Sequence, residues 1–399
     1  MGVLIFRALQ YWKVSLASSF IAAFYFAVSQ AATFAVICND TMSQMMGSFF
    51  GALTIWNLYL GMKQVRSGSS FPRSHLILCL LTFFLSLTSK ETSAGLCLGV
   101  FNLILVMEPK SEGNRIQFFK VAKRVLPFFL IGLLYVGMRF SAGATMPSYG
   151  SNSSYELHLG INILKNIGLF AFQSILPFSS AMLAHDLYDR NILALAGIVG
   201  VTAMLGTTLL YGIWRSPQRR LIFCILGFAL FAVTPAIFLN HVSEVYLYNA
   251  LPYVAIAFGF AIEYYWTQSA RAVRISFSAL LAVVFVANIV GAVQKTASLA
   301  EESSRSQVLM QQIYPIVSKL PNNGRLYLVN PVTHEFEYSV FAMKGFDVVK
   351  YADPWILRHT ARPDVKLYVL ESEEYRDSVA LHPGAAYTMN MATLRIKPF

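Results

Sequence analysis

LLTFFLSLTSKETSAGLCLGVFNLIL, residues 80–105, holds two apolar runs separated by one charged pair, Lys90 and Glu91. If each run crosses a bilayer, the pair marks a hairpin at a membrane surface. If not, it is a charged loop between buried helices. The run from Leu76 to Ser89 is about 21 Å long at the helical rise of 1.5 Å per residue. A hydrocarbon core is about 30 Å thick. Lys90 and Glu91 are therefore expected at, or slightly below, the interface, where ionisable groups face protein or a wet cavity. The plainer alternative is a polar tip whose two charges face water.

The rest of the chain decides for the membrane. Of its 399 residues 56% are hydrophobic and 13% charged. Soluble domains carry about 25% charge. The mean hydropathy is +0.54. Apolar runs suited to crossing fall at about 14–36, 42–62, 74–89, 92–107, 125–140, 191–213, 221–240, 245–266 and 273–293, which makes nine. Read as alternating, they put fifteen Lys and Arg on one set of loops and only Lys90, Arg139, Lys165 and Arg190 on the other. That asymmetry makes the richer side cytoplasmic and explains the net charge of +11 without a nucleic-acid partner. The expected protein is all-α and polytopic, in a bacterial inner membrane. Its N-terminus is cytoplasmic; the 141–190 region, 241–244 and the C-terminal tail face outward. MGVLIFRALQYWK and the run after it (1–31) also read as a signal peptide, but the run is long enough to remain as an anchor.

One further stretch, ELHLGINILKNIGLFAFQSILPFSS (156–180), breaks the alternation. Asn162, Lys165, Asn166 and Gln173 recur at near-helical spacing, which suits an amphipathic helix in the outer interface. A tenth crossing would place Arg215, Arg219 and Arg220 outside. From residue 296 the composition changes. A transmembrane domain (1–295) is expected to give way to an extracytoplasmic α/β domain (296–399). Ser298 and Glu301 form a capping signal ahead of a helix. PNNG (321–324) is a turn; RLYLVN (325–330), FDVVKY (346–351) and KLYVLE (366–371) read as strands.

Cys38, Cys79, Cys97 and Cys224 form no paired motif, so neither a disulfide framework nor a metal site is expected. The candidate chemistry lies on the outer side. Lys90, Arg139 and Lys165 are cations suited to a lipid phosphate. Arg139 also reads as a snorkelling anchor. Carboxylates able to accept a proton from a nucleophile are Asp40 in AVICNDTMSQ, Glu244 in HVSEVYLYNALPY, and Asp186 and Asp189 beside His185. His241 lies close to Glu244 in sequence.

These segments together resemble the GT-C membrane glycosyltransferases, chiefly the protein-mannosyltransferase type and the tetratricopeptide-bearing O-mannosyltransferases. LLTFFLSLTSKETSAGLCLGVFNLIL is similar to the family's Ser-Lys-Glu segment, LLYVGMRF (133–140) to its span ending in Leu-Arg, and INILKNIGLFAFQSILPFS (161–179) to the helix before its next crossing. SEVYLYNALPYVAIAFGFAI (243–262) resembles its Glu-Arg-Tyr-Leu-Tyr-Leu-Pro segment, with Val245 in place of Arg and the Pro displaced to Pro252. The resemblance covers about residues 15–265. It implies a polyprenyl-phosphate-linked sugar donor and transfer to a protein, lipid or glycan on the outer face. Lys90 and Arg139 would hold the donor phosphate, Glu91 would orient Lys90, and Glu244, Tyr246 and Tyr248 would line the cavity. The family's first span and long acidic outer loop have no counterpart before residue 14. That suggests an incomplete reading frame, or a member that binds without catalysing. Two other classes stand beside the enzyme: a transporter of lipid-linked sugars, disfavoured by the lack of paired half-repeats, and a non-catalytic scaffold presenting the tail domain.

Overall fold

The computed structural model describes residues 1–37, 41–109, 118–143, 158–177, 191–239, 242–330, 362, 364–371, 384–390 and 395–398. The chain is mostly helical, with a small strand region, and divides into two compact units, Met1–Ala292 and Val293–Phe399.

The first unit contains α1 (Gly2–Tyr11), α2 (Leu16–Val28), α3 (Thr33–Ile37), α4 (Met42–Arg66), α5 (Arg73–Ser89), α6 (Leu96–Met107), α7 (Phe118–Ser141), α8 (Ile161–Ile175), α9 (Ile192–Arg215), α10 (Arg219–Ile237), α11 (Glu244–Gln268) and the start of α12 (Arg271–Lys319). Among the described residues, five helices are long and apolar enough to cross a membrane: α7, α9, α10, α11 and the Arg271–Glu301 part of α12. α2, α5 and the Glu91–Met107 stretch are apolar but shorter. α4 has the length, 25 residues, but includes Gln44, Asn57, Lys63 and Gln64.

α11 is the post around which the others stand. Of its most apolar stretch 89% is buried, against 11% for α7 and 22% for α9. Its sequence is apolar on every side, the pattern of a helix surrounded by others. It touches α1, α2, α4, α8, α9 and α10. α7, by contrast, turns Leu126, Phe129, Leu130, Leu133 and Leu134 outward. Apolar surface on that scale suits lipid rather than water.

The first expected crossing, 14–36, is not one helix. α2 begins at Ser15, whose hydroxyl caps Ser18 N–H, and stops at Val28. Ser29 (φ −58°, ψ 120°) leads into a 3-10 turn at Gln30–Ala32 and then α3. Such a break is tolerated inside apolar surroundings only if its polar groups are satisfied. Gln30 meets that need: its N–H donates to Asn288 Oδ1 (3.0 Å) and its side chain to Leu176 O (3.3 Å). The residues ahead of α2 are also helical. α1 turns at Lys13 (φ 62°) and doubles back along α2, with Gln10 Nε2 donating to Ser19 Oγ at 2.8 Å. Arg7 therefore lies along the bundle rather than in a flanking tail.

α8 occupies the centre of the expected interfacial segment, but only Lys165 of its polar stripe faces outward; Asn166 and Gln173 are buried. Asn166 is 2% exposed, whereas Ile161 and Leu164 are 87% and 71% exposed. The physical reason is the end of α10, whose last carbonyls lack helical partners. The Asn166 amide donates to Ile237 O (2.9 Å) and Leu239 O (2.8 Å). Tyr25 OH, from α2, donates to Ser174 O at 2.9 Å.

In the second unit, α12 runs unbroken from Arg271 to Lys319, so Ser298 and Glu301 start no helix: the apolar helix before them simply continues. PNNG is a turn, closed by Gly324 N–H on Pro321 O at 2.9 Å. β1 (Arg325–Asn330) and β2 (Lys366–Glu371) form as expected. FDVVKY lies outside the described residues. β3 (Ala385–Asn390) and β4 (Arg395–Pro398) complete a sheet of order β2-β1-β3-β4, parallel except for β4. Leu326 and Leu328 of β1 bury against Ile313 and Val317 of α12.

Arg362 finishes the helix. It donates to Leu320 O and Pro321 O, both at 2.9 Å, and forks onto Asp364 at 2.9 Å. The Arg362 guanidinium, helped by Asn323 N–H, holds the Asp364 carboxyl well below the usual carboxylate range. A depressed folded value stabilises the fold above the unfolded pKa of about 3.9, and that contribution is lost as pH falls toward the folded value. Protection of the β1 amides in the full chain, relative to free-peptide exchange at the same pH, should therefore fall below about pH 4. Asp364→Asn should remove that acid step, and an unchanged pH profile in the variant would assign it elsewhere.

Candidate functional site

Lys90 terminates α5 in an extended conformation (φ −155°, ψ 131°), and Glu91 opens a 3-10 segment, Glu91–Gly95, that leads into α6. The turn holds itself together: Lys90 N–H donates to Ser86 O, and Lys90 O accepts from Ser93 N–H at 3.0 Å. Lys90 Nζ lies 3.5 Å from Glu91 Oε1, with the side chains 29% and 53% exposed. Both charges are thus paired loosely and remain accessible.

Two glycines let this turn sit deep. A Cβ on Gly47 of α4 would lie 2.9 Å from Ser93 Oγ and 3.3 Å from Lys90 Cβ. A Cβ on Gly95 would run into the Phe231 carbonyl oxygen of α10, backbone that has little freedom to move. Ser86 Oγ donates to Gly47 O at 2.7 Å and fixes α5 against α4.

The structure brings Arg139 to the same corner. It is exposed in the last turn of α7, a helix that packs against α5 and α6. Lys165 does not join them: it lies on the exposed stripe of α8 with Ile161 and Leu164. Glu244 is the first residue of α11 and only 4% exposed. Ser243 caps the helix by accepting from Val245 N–H, and the helix start favours a carboxylate there. Tyr246 is half-buried. Tyr248, expected to line a cavity, instead packs its ring edge-on to Phe26, with centroids 5.6 Å apart. Asp40, His185, Asp186, Asp189 and His241 lie outside the described residues.

Below the turn is a cavity of about 10 Å³, lined by Gly47, Ser48, Gly51, Thr92, Ser93 and Asn249 among others. Asn249 Nδ2 donates to Thr92 Oγ1 (3.2 Å), and Thr92 Oγ1 donates to Gln44 Oε1 (3.3 Å). The sequence reading passed over Gln44, Thr92 and Asn249. The available signal was an amide inside an apolar run, TMSQMM for Gln44 and YLYNALPY for Asn249. A larger cavity of about 50 Å³ lies among Met1, Trp12, Trp56, Tyr59 and Tyr253, but its walls are almost wholly apolar and offer nothing to orient a polar substrate. Among the described residues, no three His, Cys, Asp or Glu gather as a metal site would require.

Chemically, then, the Lys90 turn offers an accessible cation beside a small neutral polar cavity, and a buried carboxylate, Glu244, opens α11. Comparison with protein-family models, curated proteins and solved structures finds no match for the chain.

Two expectations follow from this geometry. Lys90→Ala and Glu91→Ala should each change stability by under about 1 kcal/mol, because a loose, accessible pair contributes little. Thermal melts of the purified chain would show it, and a larger loss would mean the pair is structural. Gly95→Ala should lower stability by about 1–3 kcal/mol through overpacking. Gly137→Ala, where a Cβ meets open space, is the neutral control.

Proposed function

We propose that the chain is an integral membrane glycosyltransferase that moves a sugar from a polyprenyl-phosphate-linked donor to a protein, lipid or glycan acceptor on the extracytoplasmic face. In this reading the nine crossings are the α2–α3 stretch, α4, α5, the Glu91–Met107 stretch, α7, α9, α10, α11 and the first part of α12. The basic loops lie in the cytoplasm, the membrane is a bacterial inner membrane, and the tail domain lies outside. The observation that carries the proposal is the accessible Lys90–Glu91 pair at the turn between α5 and α6, with Arg139 exposed in the last turn of α7, a helix packed against both.

The chemistry is a substitution at the anomeric carbon. An acceptor hydroxyl oxygen forms the new bond, the bond from the anomeric carbon to the phosphate oxygen breaks, and polyprenyl phosphate leaves with the electron pair. The acceptor proton passes to a carboxylate, Glu244 or Asp40. Lys90 and Arg139 offset the charge that grows on the departing phosphate. Glu91 keeps the Lys90 ammonium near that position without neutralising it by a close contact. Lys165, on the outer stripe of α8, adds positive charge to the same leaflet.

Photo-crosslinking to a polyprenyl-phosphate probe tests the binding half. Lys90→Ala should reduce labelling about tenfold, and unchanged labelling would remove Lys90 from the site. Transfer tests the other half: Glu244→Gln should lower turnover about a hundredfold or more while membrane insertion is retained, in the range typical of general-base loss. Wild-type turnover would exclude Glu244 as the base. The sidedness is checked by Ser89→Cys, which should react with a membrane-impermeant thiol reagent from outside the cell. Reaction only from within would reverse the proposed topology.

A further inference from the structure

The Gln44–Thr92–Asn249 chain is incomplete in a way that defines what would complete it. Gln44 is 1% exposed, and Thr92 and Asn249 are each 6% exposed, so water does not reach them from the surface. Thr92 both accepts and donates, which uses Asn249 Nδ2 and Gln44 Oε1. Gln44 Nε2 and Asn249 Oδ1 are left buried without a partner. One is a donor and the other an acceptor. Rotating both amides by a half-turn reverses the direction of the chain, yet the remainder is again one donor and one acceptor. An unsatisfied buried polar group costs about 1–3 kcal/mol, so the Asn249 amide, which lines the cavity and presents Oδ1 or, rotated, Nδ2, calls for an occupant able to donate or accept.

The required chemistry follows. The occupant must be able to donate or accept through the same small group. It must be neutral, because the named lining is Ser, Thr, Asn and Gly and carries no charge. It must be about one oxygen in size, since a cavity of about 10 Å³ sits at the threshold for a single water. A carboxylate cannot donate, an ammonium cannot accept, and a phosphate is too large. A hydroxyl meets all three conditions.

We propose that this cavity is a hydroxyl-binding site, with Asn249 as its direct contact and the hydroxyls of Ser48, Thr92 and Ser93 in the same lining. The hydroxyl comes either from a resident water or from a sugar held at the Lys90 corner, since Thr92 and Ser93 of the lining follow Lys90 and Glu91 directly in the chain. The sugar source rests on the glycosyl-transfer reading; the water source does not.

The test uses the full chain in nanodiscs, with Asn249→Leu and Thr92→Val beside the wild type; Thr92→Val serves if the leucine variant fails to fold. A ligand-free density map fine enough to show ordered water is paired with titrations of polyprenyl phosphate with and without a hexose. A resident water predicts an oxygen at hydrogen-bond distance from the Asn249 side chain, absent in the variants, and variant-independent lipid binding. A sugar hydroxyl predicts an empty ligand-free cavity and about tenfold weaker binding of the hexose-bearing lipid by the variants, with the bare phosphate unaffected. An empty cavity together with variant-independent binding of both lipids overturns the site. If neither lipid binds the wild type, the glycosyl-transfer reading fails, and the map alone decides: an oxygen there upholds the site and its absence overturns it.

Discussion

The structure depends on burying a helix that is apolar all round. α11 is enclosed by its neighbours along most of its length, so everything polar near its start must be accommodated inside the protein. Glu244 meets this at the helix opening, where backbone N–H groups point toward it. Asn249 meets it through Thr92. The site corner follows from this constraint: the Glu91–Gly95 turn meets α11 through the hydrogen bond from Asn249 Nδ2 to Thr92 Oγ1.

The same logic governs the interrupted helices. Where α2 ends and where α10 ends, backbone groups are left open in apolar surroundings, and an unsatisfied group there costs several kcal/mol. In each case one amide side chain from a distant segment answers: Asn288 Oδ1 accepts from the Gln30 N–H, and the Asn166 amide donates to Ile237 O and Leu239 O. These amides are structural fasteners. Their burial turns α8 inside out, with Ile161 and Leu164 facing outward.

Composition and apolar run length made the helical, membrane-compatible architecture legible, and the boundaries of α5, α9 and β1 lie within a residue or two of expectation. What stayed hidden had local causes. The bend after Val28 has no Pro or Gly to announce it and is fixed by residues far away in sequence. The facing of α8 could not be read because polar spacing alone does not say whether amides meet water or stray carbonyls. β3, AAYTMN, carries only Tyr387 and Met389 as large apolar residues, against Leu326, Tyr327, Leu328 and Val329 in RLYLVN. Within the candidate site the charges stood out because they interrupt apolar runs. Gln44, Thr92 and Asn249 did not, because each is unremarkable until the fold brings them together.

The Arg362 clamp imposes an order of events on biosynthesis. The guanidinium that closes the end of α12 lies 42 residues downstream of the Leu320 carbonyl it binds. At about 5–20 residues per second, that helix end emerges and waits roughly 2–8 s for its cap. Over that interval the exposed carbonyls and the unpaired edge of β1 are open to a chaperone, a protease or a neighbouring nascent chain.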